Sequence, residues 1–185
     1  MRRDAKKIFV GIDESNHGKY PEYFAAVFSC FESDIKKRKM EKQRDKNEHQ
    51  SLLSMLSRER DFAFLRVDSC EEEKLQKNKI GIVVASLIYD FTRHSKNEEP
   101  SNYLVFVDGH LTKHAIDNAR RIVTDITSLN ENSIEIIPEN DDEIPILNYA
   151  DEIAHFFFRH TSSYDQNTKF KNHFKKLIIP RQYVP

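Results

Sequence analysis

The sequence predicts a single α/β domain, with one mixed sheet of five strands and helices packed against it. Three strand-like segments come first, and helical segments then alternate with two further strands. The three early strands are expected to run antiparallel to their neighbours, the first two because only a short turn joins them. Helical crossovers should keep the third, fourth and fifth strands parallel. A length of 185 residues suits one domain with one core.

Each predicted strand is a short apolar or aromatic run. In the first strand, four of the five residues from Ile8 to Ile12 are apolar, and the turn-forming sequence Ser-Asn-His-Gly follows it closely. The second strand, YFAAVFSCF, is rich in aromatic and other β-favouring residues. The predicted strands are 7–13, 23–31, 62–67, 103–110 and 133–139.

The predicted helices follow the third, fourth and fifth strands. In the first helix, the apolar residues recur at steps of three, four and five, which places them on one face. An acidic loop, NDDEIPILN, precedes the last helix. The predicted helices are 71–94, 111–129 and 149–162.

No internal repeat or low-complexity linker divides the sequence, so the whole chain, 1–185, is predicted to be one domain. A highly charged stretch, 34–60, is predicted to be a helical insertion or connection. The end, 165–185, is predicted to be a basic, aromatic tail.

Composition excludes several classes of protein. Lys plus Arg is 29 and Asp plus Glu is 30, so a nucleic-acid surface would have to be local. No apolar run approaches the roughly 20 residues of a membrane span, and the N-terminus does not resemble a signal peptide. Two cysteines are too few for a disulfide framework. These features predict a cytoplasmic protein that makes no membrane contact.

Acidic residues end two of the predicted strands. Asp13 and Glu14 close the first strand, Asp108 closes the fourth, and Asp151 opens the last helix. In open α/β sheets, ligands bind beyond the carboxyl ends of the strands. Acids gathered there repel one another, and a divalent cation such as Mg²⁺ with oxygen ligands relieves that repulsion.

Each acid also has a purely structural interpretation. A strand-end Asp commonly caps a turn or a following helix, and an Asp in the first turn of a helix interacts favourably with the helix dipole. The combination of acids at two strand ends and one helix start favours a functional site.

Three motifs resemble those of ribonucleases H. The opening GIDESNHG is similar to the GIDEAGRG opening of type 2 ribonucleases H, and VFVDGH resembles their later strand ending in VDG. The segment YADEIAHFF resembles the acid-bearing last helix of type 1 ribonucleases H. The IDES and ADxxA motifs together resemble a family of uncharacterised ribonuclease H-like proteins. The order of elements matches over most of the chain.

The resemblance implies a ribonuclease H-like fold and metal-dependent hydrolysis of nucleic-acid phosphodiester bonds. Asp13, Glu14, Asp108 and Asp151 would then be the catalytic residues and would hold two Mg²⁺ or Mn²⁺ ions. The resemblance leaves the identity of the last metal ligand open between Asp151 and another acid, because type 2 enzymes carry their final acid later in the helix.

Several polar and basic residues are candidates for substrate binding. Asn16 and His17 stand where type 2 enzymes have Arg-Gly, and His110 follows Asp108 by two residues. Lys171 and Lys175 lie among aromatic residues in the tail, a pattern that suits single-stranded nucleic acid. The basic run at 36–46 has two interpretations: it binds phosphate groups of nucleic acid, or it is the solvated face of a helix.

Two other functions remain open. One is a weakly active or inactive nucleic-acid-binding protein of the same fold, and the other is a metal-dependent phosphatase or nucleotide hydrolase. The sequence leaves undetermined whether the substrate is RNA, DNA or hybrid, whether cleavage is internal or terminal, and the oligomeric state.

Overall fold

The structure is a computed structural model. It describes residues 6–15, 19–39, 54, 61–95, 101–160, 170 and 172–183. Most of the predicted charged insertion, 40–53 and 55–60, lies outside these ranges, so its helical character stays a prediction.

The predicted mixed sheet of five strands is confirmed. Its strand order is β3-β2-β1-β4-β5. β1 pairs antiparallel with β2, and β2 pairs antiparallel with β3. β4 lies parallel to β1 on one side and to β5 on the other. The strands are β1 (Lys6–Ser15), β2 (Glu22–Ser29), β3 (Asp61–Val67), β4 (Ser101–Asp108) and β5 (Ile134–Glu139).

Four α-helices are present in the described residues. They are α1 (Ser69–Leu75), α2 (Lys79–Ser95), α3 (Lys113–Thr127) and α4 (Pro145–Arg159). The prediction of one continuous helix over 71–94 is wrong, because a 3-10 turn over Gln76–Asn78 separates α1 from α2. Gln76 has a positive φ of 40°, a conformation that ends a helix. No glycine or proline stands at this position to predict the break.

The last helix begins earlier than predicted. Pro145 lies in its first turn, a position that suits proline because its missing N–H has no partner there. The prediction that Asp151 opens the helix is therefore wrong. Asp151 lies in the middle of α4.

Helices cover both faces of the sheet. Ile8, Val10 and Ile12 of β1 belong to a buried apolar cluster with α2 and α3. Phe9, on the opposite face, belongs to a second cluster with α4. Strand alternation therefore places Asp13 on the same face as Phe9, toward α4.

The C-terminal segment, residues 172–183, covers the edge of β3. The N–H of Phe64 donates to the carbonyl of His173 at 2.9 Å, and the N–H of Lys175 donates to the carbonyl of Phe64 at 2.7 Å. Further along, the N–H of Ile178 donates to the hydroxyl of Ser86 on α2 at 2.8 Å. The part of the predicted tail that the structure describes is thus packed against the sheet edge. Within the described ranges, no helix is long and apolar enough to cross a membrane.

Candidate metal centre

Asp13 is a buried carboxyl group near the end of β1. Its side chain and backbone are together only 4% exposed. Oδ1 accepts a hydrogen bond of 2.6 Å from the N–H of Glu14, whereas the buried Oδ2 has no hydrogen-bond partner among the described residues. Burial of an unsatisfied carboxylate oxygen is costly, so this position needs a proton or a cation.

Gly11 allows α4 to approach β1 closely. A Cβ atom at this position would lie 2.4 Å from the carbonyl oxygen of Ile146. Only a glycine fits here without moving the helix. The close approach sets the position of the next turns of α4, which carry Asp151 toward Asp13.

Three carboxyl groups converge at this place. One carboxylate oxygen from each of Asp13, Asp141 and Asp151 lies within 4.8 Å of the other two. Asp141 comes from the loop that follows β5, and both it and Asp151 are half-buried. These three residues are called the acid triplet below. Sequence reasoning placed Asp13 and Asp151 here but missed Asp141.

Asp108 borders the acid triplet from the end of β4. Its Oδ1 accepts a hydrogen bond of 3.0 Å from the N–H of Asp141, which fixes the start of the loop. Gly109, with a positive φ of 93°, turns the chain and donates its N–H to the carbonyl of Glu139 at 3.1 Å. The ends of β4 and β5 are therefore tied together beside the triplet.

Two carboxyl groups at this place, those of Asp13 and Asp108, have a raised pKa. Burial raises the pKa of Asp13 to about 9, with repulsion from Asp108 and Asp151 adding to the effect. The pKa of Asp108 is also raised, first by burial and then by repulsion from Asp141. Without a cation, Asp13 therefore retains its proton at neutral pH, and a bound cation would replace that proton.

The structure does not bring Glu14 into this group. Glu14 lies opposite Phe24 in the pairing of β1 with β2, one residue out of phase with Asp13. Strand alternation directs it to the other face of the sheet, where it lines a cavity against α2.

The structure describes two of the residues predicted to bind substrate, His110 and Lys175. His110 is exposed and follows the Gly109 turn, near the carboxyl ends of the strands. Lys175 lies at the β3 edge, where its amine contacts Asp90 at 2.9 Å. Asn16, His17 and Lys171 lie outside the described residues.

A basic segment, residues 36–39, lies beside the loop that carries Asp141. The amine of Lys37 contacts Glu139 at 2.8 Å and Glu143 at 3.2 Å, and the N–H of Arg38 donates to the carbonyl of Glu143 at 2.8 Å. All four residues of the segment are exposed. The charged stretch therefore begins next to the acid triplet.

The sequence matches no protein-family model and no curated protein. Solved structures do share the fold. One of them is the structure of the PCNA:RNase HII complex from Archaeoglobus fulgidus, with a TM-score of 0.56. The superposition covers 90% of this chain and 81% of that chain, with 17% sequence identity. At this identity the likeness concerns the fold and not the motifs, and it shows that the chain has a ribonuclease H-like fold.

Proposed function

We propose that this protein is a divalent-metal-dependent nuclease that hydrolyses phosphodiester bonds of nucleic acid. The observation that carries the proposal is the burial of Asp13 within 4.8 Å of two further carboxylates, with no described residue donating a hydrogen bond to its Oδ2. The shared fold with a chain of the RNase HII complex supports the same conclusion.

The residues present fit a hard divalent cation. All donors of the acid triplet are carboxylate oxygens, the ligand type that Mg²⁺ and Mn²⁺ prefer. The Oδ2 of Asp13, which has no donor in the part of the chain that the structure describes, is a buried acceptor of the kind that a cation satisfies. Asp13, Asp141 and Asp151 would hold one ion, and Asp108 at the border of the triplet would contribute to a second.

Divalent ions held by these carboxylates would supply an activated water for in-line attack on phosphorus and would stabilise the charge on the leaving oxygen. The protein's own part is to keep the acids in place before substrate arrives. Gly11 sets the distance between α4 and β1, and the hydrogen bond from Asp141 to Asp108 fixes the loop after β5. Such preorganisation avoids reorganisation during the reaction.

The basic segment, residues 36–39, is the proposed contact for the nucleic-acid backbone. Its contacts with Glu139 and Glu143 hold it beside the acid loop, while its exposed side chains remain accessible to phosphates. Cationic side chains next to an acidic site allow a polyanionic substrate to approach it.

Labelled single-stranded, duplex and RNA–DNA hybrid oligonucleotides test the proposal. We expect cleavage with Mn²⁺ or Mg²⁺ and none with chelator. Asp141→Asn should lower the cleavage rate at least about 100-fold, because it removes a member of the triplet that directly faces the ion.

Asp142→Asn is the matched control, since it removes the same charge from an exposed position in the same loop. Cleavage that persists in chelator, or that falls equally in the two variants, would contradict the proposal. Release of inorganic phosphate from nucleotides, without cleavage of any oligonucleotide, would assign the site to a phosphatase instead.

A further inference from the structure

One lysine bridges the two ends of the loop that carries Asp141. The amine of Lys37 lies 2.8 Å from Oε2 of Glu139, the last residue of β5. The same amine lies 3.2 Å from Oε2 of Glu143, four residues further along the chain. The loop 139–143 is therefore held at both ends by a side chain that is more than 100 residues away in the sequence.

Backbone hydrogen bonds complete this arrangement. The N–H of Arg38, next to Lys37, donates to the carbonyl of Glu143 at 2.8 Å. Within the loop, the N–H of Glu143 donates to the carbonyl of Asn140 at 3.2 Å and closes a tight turn that contains Asp141. The place of Asp141 in the acid triplet therefore depends on how the ends of this turn are held.

The contacts of Lys37 suit a role in holding the loop. Its side chain is 58% exposed, and those of Glu139 and Glu143 are 23% and 48% exposed. An amine shared by two carboxylates is less available to a phosphate than an amine in free solvent. Without this amine, the two glutamates would repel each other and the aspartates between them.

Resting on the proposed function, we propose that Lys37 is a positioning residue for the metal centre. Its double contact with Glu139 and Glu143 holds the loop in the conformation that brings Asp141 into the acid triplet. When the bridge is lost, the loop spends less time in that conformation, and the apparent affinity for the ion falls by the same fraction.

A positioning role and a simple charge effect predict opposite changes in metal affinity. Removal of a positive charge near a cation site strengthens cation binding, because it removes a repulsion. Loss of the bridge weakens it. We expect Lys37→Gln to bind Mn²⁺ about threefold more weakly, a factor typical of an ion pair between exposed side chains. Lys37→Arg can still contact two carboxylates and should restore most of the affinity.

Isothermal titration calorimetry with Mn²⁺, in the absence of nucleic acid, measures the effect. Lys36→Gln is the matched control, since it removes the same charge from the adjacent exposed residue of the basic segment. We expect its Mn²⁺ affinity to be equal to that of the wild type or slightly higher. Affinity of Lys37→Gln that equals or exceeds that of Lys36→Gln would overturn the proposal.

A double-mutant cycle tests whether the effect passes through the two glutamates. In a protein that already carries Glu139→Gln and Glu143→Gln, Lys37→Gln should no longer weaken Mn²⁺ binding, because the bridge is absent from the start. Weakening by the same factor in this background would overturn the proposed contact.

Cleavage assays separate this inference from the proposed function. Lys37→Gln should cleave oligonucleotides more slowly at limiting Mn²⁺ and recover as Mn²⁺ is raised. A raised KM for the oligonucleotide that no Mn²⁺ concentration corrects would make Lys37 a phosphate contact, which would overturn the positioning role and leave the nuclease intact. Mn²⁺ binding that depends on Lys37, with no cleavage of any oligonucleotide, would support the positioning role and overturn the nuclease.

Discussion

Replacing Asp13 with Asn tests the burial of this carboxyl group directly. The folded protein keeps the Asp13 proton up to a pKa of about 9, whereas the unfolded chain releases it near 3.8. The proton therefore contributes stability that is complete below pH 3.8 and is lost as pH rises toward 9. Asn preserves the shape of the side chain without a titrating proton.

The size of the effect follows from the difference between the two pKa values. Each pH unit between them lowers the free energy of unfolding by about 1.4 kcal/mol. From pH 4 to pH 7, the metal-free wild-type protein should lose about 4 kcal/mol that Asp13→Asn does not lose. This is a large part of the 5–15 kcal/mol typical of a folded domain.

Urea unfolding in chelator at pH 4, 5, 6 and 7 measures the effect. The stability advantage of Asp13→Asn over wild type should grow steadily with pH. Excess Mn²⁺ at pH 7 should reduce this advantage, since an ion at 100 times its Kd stabilises the folded wild type by about 2.7 kcal/mol and the variant by less. Asp142→Asn, at an exposed position, should follow wild type throughout.

Two results would refute this reasoning. Parallel pH profiles for wild type and Asp13→Asn in chelator would mean that the folded state does not hold the proton. Equal stabilisation of both proteins by Mn²⁺ would mean that Asp13 does not contact the ion.

Two further substitutions test the packing of α4 on β1 and a buried ion pair between α2 and β2. Gly11→Ala places a methyl group 2.4 Å from the Ile146 carbonyl oxygen, so we expect a loss of about 1–3 kcal/mol in urea unfolding and weaker stabilisation by Mn²⁺, because α4 must move away from β1. The amine of Lys79 lies 2.5 Å from the fully buried carboxylate of Glu22. Lys79→Met removes this cation and should lower the free energy of unfolding by about 3–5 kcal/mol. Adding Glu22→Gln to Lys79→Met should recover much of that loss, and a double variant no more stable than Lys79→Met would argue against the ion pair.

The sheet could be predicted from the sequence because its strands are short apolar runs separated by clear turn signals. Helix boundaries were harder to predict. Gln76 breaks a helix through its backbone conformation alone, and no residue type in 71–94 signals this. The acidic residues before Pro145 favour a loop, but proline is also favoured in the first turn of a helix, where the structure has it.

The site could be predicted in part, because the carboxyl ends of neighbouring parallel strands meet at one edge. That rule pointed to Asp13 and Asp108. It also applies to β5, whose following loop carries Asp141, but the sequence NDDE offers three acids without indicating which one turns inward. Glu14 is next to Asp13 in the sequence, which suggests a shared site. Strand alternation, however, directs the two side chains to opposite faces of the sheet.

A structural cap accounts for Asp108 better than for Asp13. Asp108 accepts a hydrogen bond from the backbone of Asp141 across the turn, which is what a capping carboxylate does. Asp13 is more deeply buried and accepts one hydrogen bond from the adjacent residue, and within the described ranges its second oxygen has no partner. A carboxyl group kept only for structure would be more stable as an amide or an apolar side chain in such a place. The cost of burying Asp13 beside two further acids therefore favours a cation as the reason for its presence.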